Sequence, residues 1–123
     1  MKLSQLRVFL LIGLSSILLI GCNTVPETNR EQFLLVSPSQ EIELGLSAFG
    51  EIKKKTPVSR DARKRRMLTR VGKRIAAVAP LPNARWEFVL FEKNKTPNAF
   101  CLPGGKVGIY TGILPITKDE AGL

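Results

Sequence analysis

The stretch Asn98–Gly112, NAFCLPGGKVGIYTG, decides the fold of this chain. It contains two short runs rich in apolar residues, Asn98–Leu102 and Lys106–Tyr110, and the second run alternates in the way that is typical of a strand. Between them, the tripeptide Pro-Gly-Gly at 103–105 is typical of a tight turn. The stretch therefore predicts two strands joined by a short turn.

A third strand is predicted upstream of this stretch. The segment Trp86–Phe91 is rich in aromatic and β-branched residues, which favour strands. Polar residues and a proline at Lys93–Pro97 predict a turn between it and the next strand. We expect the three strands to form a small antiparallel sheet.

Two amphipathic helices are predicted before the strands. Ser37–Gln40 has the pattern of a helix start, with a capping serine, a proline at the first helical position and a glutamine that completes a capping box. This helix ends before Thr56 and Pro57, and its apolar face comprises Ile42, Leu46, Phe49 and Ile52.

The second helix is predicted to begin at a Ser59 cap and to run to Ala79. Its expected buried stripe comprises Leu68, Val71, Ile75 and Val78. Because the connection between the two helices is short and contains a proline, we expect an antiparallel helical pair.

A capping-box pattern at Thr117 and Glu120 predicts that a third helix begins there. Barely one turn follows before Leu123, and a helix nucleus is costly unless its apolar face packs. We therefore expect the natural domain to continue beyond this chain. The predicted fold class is α+β: a helical pair, a small antiparallel sheet and the start of a third helix, over residues 37–123.

The N-terminus has the pattern of a secretory signal at residues 1–21. Lys2 and Arg7 precede the apolar run Val8–Ile20, which is shorter than the ~20 residues of a comfortable membrane span. The run ends in Leu-Ile-Gly-Cys, which resembles the lipobox of bacterial lipoproteins, so Cys22 is the predicted lipid attachment site and residues 22–36 the tether. The alternative is an ordinary buried or membrane-embedded cysteine.

The lipoprotein resemblance also gives a predicted location. Asn23, rather than an aspartate, follows the cysteine, which by that resemblance indicates a bacterial outer membrane, with the protein facing the periplasm. A lipid on Cys22 leaves Cys101 without a partner in the chain, and we expect Cys101 to be a small buried hydrophobe. A Cys22–Cys101 disulfide is the alternative.

The net charge is +9, and much of it lies on one side of the second helix. A nucleic-acid interface is disfavoured, because the signal directs the protein out of the cytoplasm and no aromatic residues interleave with the basic ones to stack on bases. We expect instead that Arg63, Arg66 and Arg70 lie near anionic lipid headgroups, where each adds ~1 kcal/mol.

The chain contains no histidine. This composition rules out a Ser-His-Asp triad, a Cys-His pair and a histidine-based zinc site within these residues. The glycines after Pro103 lack the lysine, hydroxyl residue and helix of a phosphate-binding loop. No catalytic or metal-ligating residue is therefore expected in this chain.

The tract Asn98–Gly112, followed by Asp119 and Glu120, resembles the strand-turn-strand before the zinc helix of zinc metallopeptidase family forty-eight, which includes the HtpX, BepA and Oma types. Weaker matches begin at Ser37, Arg70 and Trp86. The resemblance implies a zincin-like domain in which the motif H-E-x-x-H supplies two zinc ligands and a general base. Zinc is thus expected in the complete family member and not in this chain.

The resemblance implies the N-terminal part of a membrane-anchored zinc metalloendopeptidase of envelope protein quality control. This part by itself is expected to be inactive. The family resemblance also implies an edge strand that pairs with the substrate backbone. The residues at that position are Lys106, Val107, Gly108, Ile109 and Tyr110. Two alternatives stay open. One is a non-catalytic periplasmic lipoprotein that binds envelope components or a partner protein through the basic helix. The other is a regulator that pairs with a full-length relative through the third helix.

Overall fold

The computed structural model describes the backbone of residues 22–24 and 31–33 and all of residues 35–123. The predicted signal segment, residues 1–21, lies outside the described residues, and so does the side chain of Cys22. The chain divides into two compact units, residues 1–37 and 38–123.

In the first unit, two short strands pair with each other. Strand β1, Cys22–Thr24, runs antiparallel to strand β2, Glu31–Phe33. Cys22 lies opposite Phe33 in this ladder. The segment that we predicted to be a tether, residues 22–36, therefore contains a short antiparallel ladder.

The second unit contains the predicted order of helices and strands. Two helices come first, then three strands, then a 3₁₀ turn at Thr111–Ile113 and a very short helix. These elements are α1, Pro38–Lys55; α2, Ala62–Ala76; β3, Glu87–Phe91; β4, Ala99–Leu102; β5, Lys106–Tyr110; and α3, Leu114–Thr117. The α+β class predicted from the sequence is confirmed.

The two long helices begin close to the positions that the sequence predicts. Pro38 is the first residue of α1, as the sequence predicts. Asp61, rather than the predicted Ser59, caps α2, since its carboxylate accepts a hydrogen bond of 3.0 Å from the backbone N–H of Lys64. Ser59 is buried instead, and its backbone N–H donates to the carbonyl of Leu90 at 2.8 Å.

Among the described residues, no helix is both long and apolar enough to span a lipid bilayer.

The three strands of the second unit form a mixed sheet in the order β3-β5-β4. Strands β4 and β5 are antiparallel, as the tight turn between them requires. Strands β3 and β5 are parallel, with Glu87 opposite Lys106 and Phe91 opposite Tyr110. The expectation of an antiparallel sheet thus holds for the β4–β5 pairing only. Strand β3 pairs with β5 and not with β4, the next strand in the sequence.

The two helices lie on opposite faces of this sheet. Phe49 of α1 packs edge-on against Phe91 and Phe100, with ring centroids 6.1 and 6.4 Å apart. Leu68 of α2 packs in a buried cluster with Leu90 and Ile109 on the other face. The predicted antiparallel helical pair is therefore wrong in its packing, because each helix buries its apolar face against the sheet.

The chain after β5 differs from the predicted start of a helix at Thr117. Helix α3 ends at Thr117, and Lys118 has a positive φ of 67°. Asp119 then organises the next turn, because its carboxylate accepts hydrogen bonds of 3.0 Å from the N–H groups of Ala121 and Gly122. The N–H of Leu123 donates to the carbonyl of Asp119, which is the hydrogen bond of a first helical turn.

Candidate functional site

The predicted substrate-pairing strand lies in the middle of the sheet. All five of its residues, Lys106, Val107, Gly108, Ile109 and Tyr110, pair with β3, and four of them also pair with β4. The prediction that this strand is an edge is therefore wrong. Its backbone hydrogen-bonding groups are already committed on both sides.

One edge of the sheet is formed by β3, and this edge is partly covered. Val58 forms an antiparallel bridge with Phe91. The N–H of Glu92 donates to the carbonyl of Pro57 at 2.7 Å, next to the hydrogen bond between Ser59 and Leu90. The segment between the two helices thus blocks the C-terminal half of this edge.

The other edge is formed by β4, and here backbone groups face away from the sheet. The N–H of Tyr110 donates to the carbonyl of Asn98 at 2.9 Å, so Asn98 points its backbone groups toward β5. Backbone direction alternates along an antiparallel strand, so Phe100 and Leu102 also face β5 while Ala99 and Cys101 face outward. Within the described part of the chain, no backbone hydrogen bond outside the sheet ladder reaches Ala99 or Cys101.

The side chains at these two outward positions are exposed. Cys101 is a free, exposed thiol whose sulfur lies 3.8 Å from the carbonyl oxygen of Leu102. The expectation that Cys101 is a small buried hydrophobe is wrong. Helix α2 packs mainly over β3, and the side chain of Cys101 stays exposed.

A groove continues from the end of this open edge. It has a volume of about 520 Å³ and lies where β4, the turn after it, the start of α1 and the loop before β3 meet. We call it the β4-end groove. Its lining comprises Pro38, Glu41, Ile42, Leu81, Pro82, Asn83, Ala84, Cys101, Leu102, Pro103, Gly104 and Gly105.

Close backbone contacts hold the walls of this groove in place. Gly45 of α1 touches the turn so closely that a Cβ atom there would lie 2.5 Å from the carbonyl oxygen of Pro103. Gly104 and Gly105 have φ values of 84° and 79°, which a residue with a side chain adopts only with strain. The turn therefore depends on glycine, and α1 approaches it as closely as two backbones permit.

An ion cluster ties α1 to the sheet near this turn. The Lys53 ammonium lies 2.7 Å from one carboxylate oxygen of Glu87, and the Lys106 ammonium lies 3.4 Å from the other. The hydrogen bond from Lys53 lowers the pKa of Glu87, although burial opposes this shift. Lys106 is buried, and its ammonium group also donates to the carbonyl of Arg85 at 2.6 Å. The buried charge of Lys106 therefore has both a carboxylate and a carbonyl partner.

The three arginines expected near anionic lipid do not have the same surroundings. Arg63 and Arg66 are exposed on α2. Arg70 donates from Nε to a carboxylate oxygen of Glu120 at 3.0 Å, and this hydrogen bond raises the pKa of Arg70 and lowers that of Glu120. Arg70 is therefore tied to the turn after α3, and contact of Arg63 and Arg66 with lipid stays a prediction.

The described residues do not form a zinc site. No group of three or more cysteine, aspartate and glutamate side chains within residues 35–123 is placed to hold a metal ion, and the whole chain has no histidine. Asp119 and Glu120 are accounted for by the turn and by Arg70. The residues present thus do not fit the zinc that the resemblance implies, and no step through a metal follows from them.

Comparison with known proteins places the chain in context. The family described as Peptidase family M48 matches residues 62–123, which include α2 and all three strands of the mixed sheet. The mitochondrial metalloendopeptidase OMA1 of Schizosaccharomyces pombe is 38% identical over 109 residues, which is 80% of this chain and 30% of that protein. The protein of the same name from Saccharomyces cerevisiae is 46% identical over 44 residues, or 35% of this chain and 13% of that protein.

These findings correct one prediction and confirm another. The predicted bacterial outer-membrane location is wrong, because both relatives are mitochondrial proteins of yeasts. That prediction depended on a short N-terminal tract, whereas the first relative matches most of the chain. The chain spans about a third of the length of that relative. The family resemblance is confirmed over the helix and strands that carry it, and the chain belongs to peptidase family M48, a family of zinc metallopeptidases.

Proposed function

We propose that this chain holds an extended polypeptide against the open edge of β4 and so forms the substrate-binding side of a metalloendopeptidase. The observation that carries this proposal is the pair of outward-facing backbone positions, Ala99 and Cys101, on a strand whose other edge is already paired with β5. A polypeptide in extended conformation can satisfy these groups by adding one more strand to the sheet.

This binding mode sets the class of substrate. The hydrogen bonds of strand addition involve only the main chain, so they give affinity with little dependence on sequence. A folded protein rarely offers a free extended segment, whereas a partly unfolded one does. The substrates that suit this edge are therefore unfolded or damaged polypeptides.

Peptide-bond hydrolysis itself is proposed for the whole protein. The relatives are named as metalloendopeptidases, and the match to this chain covers 30% of the length of the Schizosaccharomyces pombe protein. Zinc in such enzymes activates a water molecule for attack on the peptide carbonyl. We propose that the zinc ligands and the general base come from residues outside these 123, and that the chain described here holds the backbone of the substrate in place.

A pair of methylated peptides tests the binding mode. The probe is a fluorescent peptide of alternating threonine and valine with one central leucine, titrated into the purified full chain. A strand added to an edge uses every second N–H of the peptide, so N-methylation of one alternate set should abolish binding while the other set is tolerated. Equal binding of the two methylated peptides would overturn the proposal.

Variants at Ala99 give a second, independent test. Ala99→Pro removes an outward N–H that β5 does not use, and proline is tolerated on edge strands. Ala99→Ser keeps the N–H and is the matched control. We expect the proline variant to lose peptide affinity and the serine variant to retain it, with the fluorescence of Trp86 unchanged in both.

A further inference from the structure

We infer that the β4-end groove is a side-chain pocket that selects a medium-sized apolar residue, such as leucine, in the polypeptide that pairs with β4. This inference rests on the proposed function and extends it from a backbone contact to a preference for one kind of side chain. The proposed occupant is a side chain of the added strand.

The position of the groove relative to the strand edge supports this assignment. Cys101 and Leu102 belong both to β4 and to the lining of the groove. Residues that lie opposite each other on adjacent strands point to the same face of a sheet. Leu102 points to the face that carries α1, so the residue opposite it on an added strand points to that face as well.

One apolar residue of the groove lining, Ile42 of α1, lies on that face. Ile42, in the first turns of α1, lies so close to the turn after β4 that its Cγ2 atom would be 3.2 Å from a Cβ at Gly104. Leu81 and Pro82 line the groove from the loop before β3. Ile42 and Leu81 expose 38% and 52% of their surfaces, so an apolar side chain in the groove would remove apolar area of both from water.

The size and charge of the groove restrict what it can accept. Its volume of about 520 Å³ is within the range of ~300–1,000 Å³ that small-ligand pockets have, and is ample for one large side chain. Among the described residues that line it, the ionisable groups are the Cys101 thiol and the Glu41 carboxylate, which lies at the start of α1. An acidic side chain would meet this like charge, so the groove disfavours aspartate and glutamate.

The test varies the central residue of the same alternating peptide. Full burial of a leucine side chain is favourable enough that leucine→serine in the peptide should weaken binding by ~10-fold or more. Leucine→aspartate should weaken it further. In the protein, Leu81→Lys should reduce the preference for leucine over serine to nearly nothing. The matched control, Leu44→Lys, changes an exposed leucine on α1 that does not line the groove, and should leave the preference intact.

The outcomes separate this inference from the proposed function. If the peptides bind with the alternate-methylation pattern but leucine, serine and aspartate bind equally, the pocket is refuted and the strand addition stands. If the methylated peptides bind equally, the proposed function itself fails. If Leu81→Lys instead dissociates a dimer seen by sedimentation, with peptide affinity unchanged, the groove is a contact between two copies and the inference is wrong.

Discussion

The same substitution at two glycines of α1 should have opposite effects on stability. Gly45 and Gly50 both lie inside the helix, five residues apart. Apart from its chain neighbours and the backbone of its own helix, a Cβ atom at Gly50 meets no atom of the described residues within 4 Å. A Cβ atom at Gly45 lies 2.5 Å from the Pro103 carbonyl oxygen and 3.1 Å from the Pro103 nitrogen. Because the atoms at Pro103 belong to the backbone, no rotation of a side chain relieves the contact.

The expected magnitudes follow from these distances. Alanine is more favourable than glycine inside a helix by ~0.8–1 kcal/mol, and both variants gain this amount. At Gly45, the helix or the turn must also shift by about 0.9 Å, from 2.5 Å to an ordinary contact of 3.4 Å. A shift of this size loosens the contacts of Phe49, one turn later, and overpacking of this kind costs ~1–3 kcal/mol.

Urea denaturation of the full chain, followed by the fluorescence of its single tryptophan, Trp86, measures both variants. The propensity gain is common to the two, so the difference between their free energies of unfolding reports the contact with Pro103, ~1–3 kcal/mol. We expect Gly50→Ala to raise the urea midpoint of unfolding. The midpoint of Gly45→Ala should lie ~1 M below that of Gly50→Ala. Equal stabilisation by the two substitutions would refute the close packing of α1 on the turn.

Two further predictions concern the sheet. Gly108→Ala places a Cβ atom against the Phe100 ring and should lower the free energy of unfolding. Because the obstacle is a side chain, this loss of stability should be smaller in a Phe100→Leu background. Strictly additive effects in the double mutant would contradict this expectation. Glu87→Gln should lower stability at neutral pH. The lowered pKa of Glu87 means that its contribution is fully present above the ordinary value of 4.5 and disappears as the pH falls through the folded-state value. The two proteins should therefore converge in thermal melts at acid pH, with the exposed Glu43→Gln as control; a constant difference at all pH values would contradict the role of the carboxylate.

Features set by neighbours in the sequence could be predicted well. The start of α1 at Pro38 and its end before Thr56 match the structure, because capping residues and a following proline act locally. Strand β5 has the predicted bounds of Lys106–Tyr110. Turn chemistry before and after it fixes those limits.

Burial was harder to predict, because it depends on what lies opposite. Ile75 and Val78 continue the helical spacing of Leu68 and Val71, yet they are 55% and 83% exposed. Helix α2 ends at Ala76, so the periodic pattern continues past the helix itself. Periodicity predicts which side of a helix is apolar, but only a partner layer buries it.

The candidate site was missed for a related reason. Two strands of a hairpin have equivalent local patterns, so the sequence does not indicate which of them a third strand will pair with. A possible signal was Gly108, which leaves room for the Phe100 ring across the ladder and so marks a strand that packs closely against its neighbours. It was not sufficient to assign the strand order.

We propose β4 rather than β5 as the binding strand because of the energy that each choice requires. Polypeptide pairing with β5 would first require release of β3 or β4. Even the shorter ladder, with four residue pairs, contains about four backbone hydrogen bonds, because alternate pairs exchange two each. Each backbone hydrogen bond contributes ~0.5–1.5 kcal/mol net, so the loss is roughly 2–6 kcal/mol before any binding. The total stability of a domain is ~5–15 kcal/mol, so exposing β5 would cost a large part of it. Pairing with the outward backbone groups of Ala99 and Cys101 requires no such release, because β5 forms its hydrogen bonds with the other residues of β4, Phe100 and Leu102.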